Sequence, residues 1–371
     1  MDAFYFAKIT QPKLGLCHQL VNLISSIIVA RDENKRIIVV DKFSIDSYKE
    51  DFCPISAIIN LDKLNGFLKK YGVKVFDKEV IRIDLRNIVY GAPNRDKIVT
   101  KEILDMFCLD DNIITIDKED FLNPIIGDPC IGITKRLLIN YAITHKTDVE
   151  LFTVNVQEFA GYLKENIHLD FNIIQTANYV YNSFNINDLN EVQKKFFHDI
   201  LENIFFSDKF YNVCNVLLKD IDSNEKISAI HLRLEDDSVE KWCDNQDKSQ
   251  YMDKLEKKYI GLIEKHLNKS EQIIVLSYST NNSVIDFLKN NEYNFLINEK
   301  QLELGSDINA AFDFLSGTIC NNKFIGNYNM EKHTGSLFSY LLSKRINTPV
   351  TSILVDLENL DNVEVIIKST K

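Results

Sequence analysis

KISAIHLRLEDD, residues 226–237, decides how this chain is read. In an extended strand Ile230, Leu232 and Leu234 point to one side, and His231, Arg233 and Glu235 to the other. The stretch opens as apolar alternation and closes on three acids, Glu235, Asp236 and Asp237. At the C-terminal end of a parallel strand, the polar side opens on the crevice where α/β sheets bind ligands. Arginine then offers a permanently charged planar fork for phosphate oxygens. Histidine hydrogen-bonds in either protonation state, and a carboxylate can take a proton from an attacking hydroxyl. Taken locally, the same residues also fit an Arg–Glu pair on an exposed sheet end beside a satisfied histidine.

Outward from that stretch the pattern alternates. ISAIHLR precedes a helix near QDKSQYMDKLEKKYIGLIEKHL. QIIVLSYS, NFLIN, NKFIGN and PVTSILVD read as further strands. NNSVIDFLKN, SDINAAFDFLSGTIC (Ser306 as its cap) and TGSLFSYLLSKR read as the helices between them. Strands alternating with helices predict a parallel, doubly wound sheet. The N-terminus repeats the theme. FYFAKI is a strand, TQPKLGLC a turn, and Leu20, Leu23, Ile24, Ile27 and Ile28 fall at helical spacing. RIIVVD then reads as a strand covered on both faces. VKVF and NIITID are weaker apolar runs that set no strand order. In the middle, Leu189, Val192, Phe196, Phe197, Ile200, Leu201 and Ile204 form one helical stripe, and Ser207 caps a second helix carrying Phe210, Val213, Val216 and Leu217.

The chain has 371 residues, too long for one ordinary core. The expected α/β fold is two Rossmann-like doubly wound domains facing a cleft. An N-terminal domain would span 1–150, a helical connection 151–225 and a C-terminal domain 226–371. Hydrophobic residues make up 45% and charged residues 26%, ordinary for a globular protein. A net charge of −11 and a pI near 5.2 weigh against a nucleic-acid partner, which needs a basic face. No apolar stretch reaches the roughly 20 residues of a membrane span. The N-terminus has no basic segment ahead of a long apolar run, so no signal peptide is expected. Seven scattered cysteines, never spaced C-x-x-C, fit reduced thiols and a cytoplasmic location.

Two further stretches carry candidate chemistry. KLGLCHQL (13–20) turns into a helix start, where backbone N–H groups and the helix dipole favour an anion. It lacks both G-x-G-x-x-G and G-x-x-x-x-G-K-[ST], which disfavours dinucleotide and P-loop sites. NKFIGNYNMEKHTGSLFSYLLSKR (322–345) ends a strand at Gly326 and opens a helix near Thr334, Gly335 and Ser336. Those small residues can cap the helix, donate to a diphosphate, or do both. Asp313, on an otherwise apolar helix face, is a solvent-edge residue or a pocket anchor.

In this order the three stretches resemble the GDP-fucose-dependent fucosyltransferases, the superfamily of protein O-fucosyltransferases and α1,6- and α1,2-type enzymes. The family's G-x-x-N-Q matches GLCHQ at Gly15 and Gln19, with His18 where Asn is usual. Its H-x-R-x-x-D matches HLRLED at His231, Arg233 and Asp236. Its F-I/V-G-N matches Phe324–Asn327, and its S-S-F-S matches GSLFS loosely, one residue longer. Asp313 stands at the acid of the helix ahead of it. The strand that ends A-T-D in the family is LSYST here, without the Asp. The resemblance covers about 13–41 and 226–345.

It implies a GT-B fold and an inverting, metal-independent glycosyl transfer. Fucose from GDP-fucose would pass to a glycan or protein hydroxyl, with no cofactor beyond the nucleotide-sugar donor. Arg233 would neutralise the leaving phosphate, and His231 would contact nucleoside or phosphate. Gly335, Ser336 and nearby amides would hold the diphosphate, and Asp313 would read the base or brace Arg233. Gly15, His18 and Gln19 would close over the donor. Asp236 would orient the arginine. Glu240 stands near the family's glutamate base, with Glu235 and Asp236 as alternatives. A non-catalytic nucleotide- or glycan-binding protein on the same scaffold, or a transferase using another nucleotide sugar, stays open beside this reading.

Overall fold

The computed structural model describes residues 4–10, 13, 15–49, 51–78, 82–92, 94–98, 109–110, 113–114, 136–145, 148–157, 167–168, 188–219, 221–222, 224–243, 246–298, 304–329, 334–346, 350–357, 360 and 365–368. In chain order these hold β1 (Phe4–Ala7), α1 (Leu16–Asp32), β2 (Ile37–Val40), β3 (Phe43–Asp46), β4 (Asp51–Cys53), α2 (Leu61–Leu68) and β5 (Lys74–Asp77). Next come β6 (Arg82–Ala92), β7 (Arg95–Ile98), β8 (Leu109–Asp110), β9 (Ile113–Ile114), β10 (Arg136–His145), β11 (Asp148–Gln157) and β12 (Ile167–His168). The helices α3 (Glu191–Glu202) and α4 (Asp208–Leu217) lead to β13 (Ile227–Leu232), α5 (Asp236–Trp242), α6 (Lys248–His266), β14 (Gln272–Ser277), α7 (Ser283–Asn290) and β15 (Phe295–Ile297). Last are α8 (Ser306–Gly317), β16 (Lys323–Gly326), β17 (Tyr328–Asn329), β18 (Thr334–Gly335), α9 (Leu337–Arg345), β19 (Thr351–Leu354) and β20 (Val365–Lys368).

The chain divides into two compact units, interleaved in sequence. The first gathers residues 1–8, 29–41 and 71–184. It contains a parallel three-stranded sheet, β1-β2-β5, and a four-stranded antiparallel sheet, β11-β10-β6-β7. β11 carries the chain through residue 150 as a continuous strand.

The second unit gathers residues 9–28, 42–70 and 185–371. Its six-stranded sheet runs β15-β14-β13-β16-β19-β20, parallel except for the edge pair β19–β20. β13 sits inside this sheet with all six residues buried. The expected alternation holds. Ile230 and Leu232 join Leu255, Tyr259 and Leu262 of α6 and Val284, Ile285 and Leu288 of α7 in one apolar cluster. His231, on the opposite side, stacks on Phe338 of α9. Truncating a fully buried residue such as Ile230 to Ala costs about 2–5 kcal/mol.

The sequence reading differs from the structure at several ends. Ser306 is the first residue of α8, and the N-cap is Gly305, at φ +77°. A Cβ on Gly305 would meet the Ile45 carbonyl oxygen at 2.7 Å, so the chain turns there on a residue without a side chain. The last helix opens at Leu337 and not at Thr334, because Thr334 and Gly335 pair with Tyr328 and Asn329 as β18–β17. Val192 and Val216 are 70% and 66% exposed. Periodicity placed both on an apolar stripe, but Val192 lies in the first turn of α3 and Val216 in the last turn of α4, where the stripe has run out from under its cover. α3 is fixed by a capping box between Asn190 and Gln193. Among the described residues no helix is long and apolar enough to cross a membrane.

Candidate active site

The C-terminal end of β13 opens on a cavity of about 610 Å³ whose lining belongs wholly to the second unit. That volume suits a nucleotide-sized ligand. Arg233 stands at its wall, one residue beyond the strand, and the start of α5 holds its guanidinium. Nε donates to Ser238 Oγ at 2.8 Å, and Nη2 donates to Asp237 Oδ2 at 3.1 Å. Nη1 lies 3.3 Å from Glu235 Oε2. The fork is therefore oriented before any ligand arrives.

The acids divide differently from the expectation. Asp236 does not orient Arg233. It points outward, 86% exposed, and pairs with Lys248 at 3.2 Å. The first turn of α5 rotates Asp236 away and brings Asp237 and Ser238 round to the arginine. Glu240 is exposed on the same helix and does not line the cavity. Glu235 does line it. Burial raises its carboxyl above the usual carboxylate range, against the opposing pull of Arg233 and of nearby backbone N–H groups.

His231 is 7% exposed, and its ring stacks on Phe338 with centroids 4.4 Å apart. Its Nδ1 lies 2.7 Å from Ser339 Oγ, which also accepts the Asn327 N–H at 3.1 Å. The glycine of FIGN makes this possible, since a Cβ on Gly326 would fall 2.7 Å from Ser339 Oγ. Asn327, fully buried, accepts the Ser336 N–H through its backbone oxygen at 2.8 Å and its side chain at 3.1 Å. Gly335, at φ +96°, passes so close that a Cβ would meet the Asn327 backbone oxygen at 2.7 Å. The third motif thus pins the N-terminus of α9 to the end of β16. Ser336, the N-cap, makes no side-chain capping hydrogen bond and lines the cavity. Helix N-termini of this kind attract anions.

The first motif is organised by a residue the sequence reading passed over. Asp307 of α8 is 3% exposed. Its Oδ1 accepts the Leu16 N–H at 2.8 Å, and Oδ2 accepts the Ser47 N–H at 3.0 Å. Gly15 lets it approach, because a Cβ there would sit 3.0 Å from Oδ1. Burial outweighs these hydrogen bonds and pushes the carboxyl up to about 6. The opening amide of α1, expected to face an anionic ligand, is therefore occupied by the protein's own carboxylate. Gln19 is fully buried and structural. Its Oε1 accepts the Ser44 N–H at 2.7 Å, and its Nε2 reaches the Ser44 oxygen and Asp307 Oδ2, each at 3.5 Å. It does not line the cavity. Asp307 carried no local signal, because its partners lie 260 and 291 positions away in the chain.

Of the expected residues, the cavity brings together Gly15 and His18 from the first motif and His231 and Arg233 from the second. From the third region it adds Asp313, Gly335 and Ser336. Asp313 is 6% exposed and accepts from Asn298 Nδ2 at 2.9 Å, which fixes its orientation. His18 keeps solvent contact, yet its imidazole is held below its ordinary value by the surrounding protein, then by Lys241 and Arg233. Lys13 and Lys241 also line the cavity, together with the carboxylates of Glu235, Asp237, Asp307 and Asp313. Cys17 lines the cavity as well, but burial raises its thiol far from the thiolate a nucleophile needs.

No protein-family model matches the sequence, and no curated protein matches it. Among solved structures, the chain is similar to the fucosyltransferase NodZ from Bradyrhizobium, at 13% identity and a TM-score of 0.46 over 99% of each chain. NodZ alpha-1,6-fucosyltransferase soaked with GDP-fucose gives 14% identity and 0.49 over 100% of each. POFUT1 in complex with GDP-fucose gives 10% and 0.46 over 94% of each. At these identities and TM-scores the ligands and activities of those proteins do not carry over, and function has to be read from the cavity.

Proposed function

We propose that this chain is a glycosyltransferase that takes a nucleotide-sugar donor, GDP-fucose, and passes the sugar to a hydroxyl with inversion. In this reading the fold is of the GT-B class, and the second unit holds the donor. The observation that carries the reading is Arg233. Its guanidinium is held in place by Ser238, Asp237 and Glu235, in the same cavity as the uncapped N-terminus of α9. Those are the groups a departing diphosphate requires.

In this reading the step is a single displacement at the sugar C1. As the bond between the sugar C1 and the phosphate oxygen breaks, its electron pair leaves with the nucleoside diphosphate. Arg233 and the amides at the start of α9 take up that charge. The acceptor oxygen bonds to C1 from the opposite face, and its proton passes to Glu235. Glu235 replaces Glu240 as the base in this account, because it lines the cavity and its basicity is raised by burial. His231, fixed by Ser339 and Phe338, and Asp313, fixed by Asn298, present rigid polar groups to the donor.

Arg233→Ala tests the reading. It should abolish donor turnover while the unfolding midpoint stays put; retained turnover contradicts the role. A second reading, a binding protein without catalysis, draws on the occupied amide of Leu16, which leaves the first motif one donor short of the ligand. It predicts nucleotide binding with neither transfer nor donor hydrolysis.

A further inference from the structure

Five large hydrophobic side chains are exposed among the described residues: Ile98, Val192, Val216, Tyr48 and Tyr278. The three aliphatic ones do not line the cavity. The two aromatic ones, 64% and 55% exposed, both line it. Their backbones are braced although their rings are not covered. The Tyr48 N–H donates to Asp46 Oδ1 at 3.1 Å, and Asp46 also accepts from Ser306 and pairs with Lys49. Tyr278 follows the last residue of β14. There Ser277 Oγ and Asn282 Nδ2 both donate to the Ser279 carbonyl, at 2.7 and 3.1 Å. The Tyr278 backbone and the Tyr48 phenol both lie within the electrostatic reach of Glu235, the phenol also within that of Asp237. Two rigidly mounted aromatic faces therefore stand open to solvent beside carboxylates on the wall of one cavity.

We infer that Tyr48 and Tyr278, with Glu235 and Asp237, form a subsite for a pyranose ring of a glycan acceptor. A pyranose has an apolar C–H face and an equatorial belt of hydroxyl donors. An exposed tyrosine matches the first at low entropic cost, and carboxylate oxygens match the second. An extended polypeptide would ask instead for a row of backbone partners, whereas the groups named here are aromatic and carboxylate side chains. The inference rests on the transferase reading of the same cavity and specifies its acceptor as carbohydrate.

The test is saturation-transfer NMR of a panel of methyl hexopyranosides, plus an unglycosylated Ser/Thr-rich peptide, with GDP present. Wild type, Tyr48→Ala, Tyr278→Ala and both Phe variants are compared, and GDP affinity is titrated in each. The expected result is transfer to ring C–H protons of at least one pyranoside. Affinity should weaken about three- to tenfold in each Ala variant and be kept by the Phe variants, with folding unaltered. Four results overturn the inference: binding of no pyranoside, binding of the peptide alone, unchanged sugar affinity in both Ala variants, or a loss confined to GDP. Sugar binding that depends on the tyrosines in a protein that binds no nucleoside diphosphate would instead sink the transferase reading and leave the subsite standing.

Discussion

Arg233 is useful because it is held. Hydrogen bonds to a charged partner are each worth about 1.5–3 kcal/mol, so losing the one from Nε to Ser238 should cost roughly tenfold or more in donor affinity. Ser238→Ala is expected to show that loss by calorimetry, with a smaller effect on stability. Arg233→Lys keeps the charge and loses the fork. It should lower turnover by about 10²-fold, the scale seen when one transition-state donor is removed. In the proposed transfer Glu235 is expected to set the pH profile. A base must be deprotonated, and this carboxyl is raised by burial, so activity should fall as pH drops through a value above the ordinary carboxylate range. Glu235→Gln should remove that acid limb together with most of kcat. An unchanged profile would return the base to another group. At this scale the sequence showed His231 and Arg233 plainly, because a strand's two-residue period separates them from the buried Ile230 and Leu232. It misjudged Asp236 and gave no role to Asp237 or Ser238, because the chain changes there from strand to helix and the period changes with it.

At the scale of elements, two helices are set by contacts that no local pattern announces. α8 reaches the start of α1 and the turn after β3 through Asp307. Asp307→Asn keeps the volume but replaces one acceptor by a donor, leaving the Leu16 or Ser47 N–H unpaired. The expected cost is about 1–3 kcal/mol, read as a lower unfolding midpoint. The acid itself has a sign to check. Its folded value of about 6 lies above the ordinary 3.8, so the folded protein holds this proton longer than the unfolded chain. Asp307 therefore contributes stability at low pH that is lost as pH rises between those two values. α9 depends on Gly335, where φ is +96° and a Cβ would collide with Asn327. Gly335→Ala should destabilise by about 1–3 kcal/mol and weaken donor binding, since it moves Ser336 and the uncapped N-terminus of α9 behind it. The helices and strands read from residue 226 onward were legible where apolar spacing was unbroken, whereas β10 went unread and β11 runs into the stretch expected to be a helical connection. The true start of α9 was not legible, because the β17–β18 pairing of Thr334 and Gly335 is decided by contact with Tyr328 and Asn329.

For the whole molecule, alternation from residue 226 onward foretold a parallel α/β sheet, and the six-stranded sheet has that character. Its order was not legible, since β13 joins β14 on one side and β16 on the other through crossovers that leave no mark on local sequence. Nor was the antiparallel edge strand β20 foreseen. The grouping of residues 9–28 and 42–70 with the C-terminal half follows from contacts such as Asp307 to Leu16, which only folding brings together. The cavity in that unit makes the central claim, a site for a guanosine diphosphate leaving group, directly testable. A nucleotide that binds only the folded protein stabilises it by about 2.7 kcal/mol at a hundred times its Kd, so binding and melting should report together. The decisive measurement is a calorimetric titration of the wild-type chain with GDP, UDP, ADP and dTDP. The account predicts that GDP binds at least about tenfold more tightly than the others and that Arg233→Ala abolishes its binding. Equal affinity for all four, or GDP binding that survives the loss of Arg233, would contradict it.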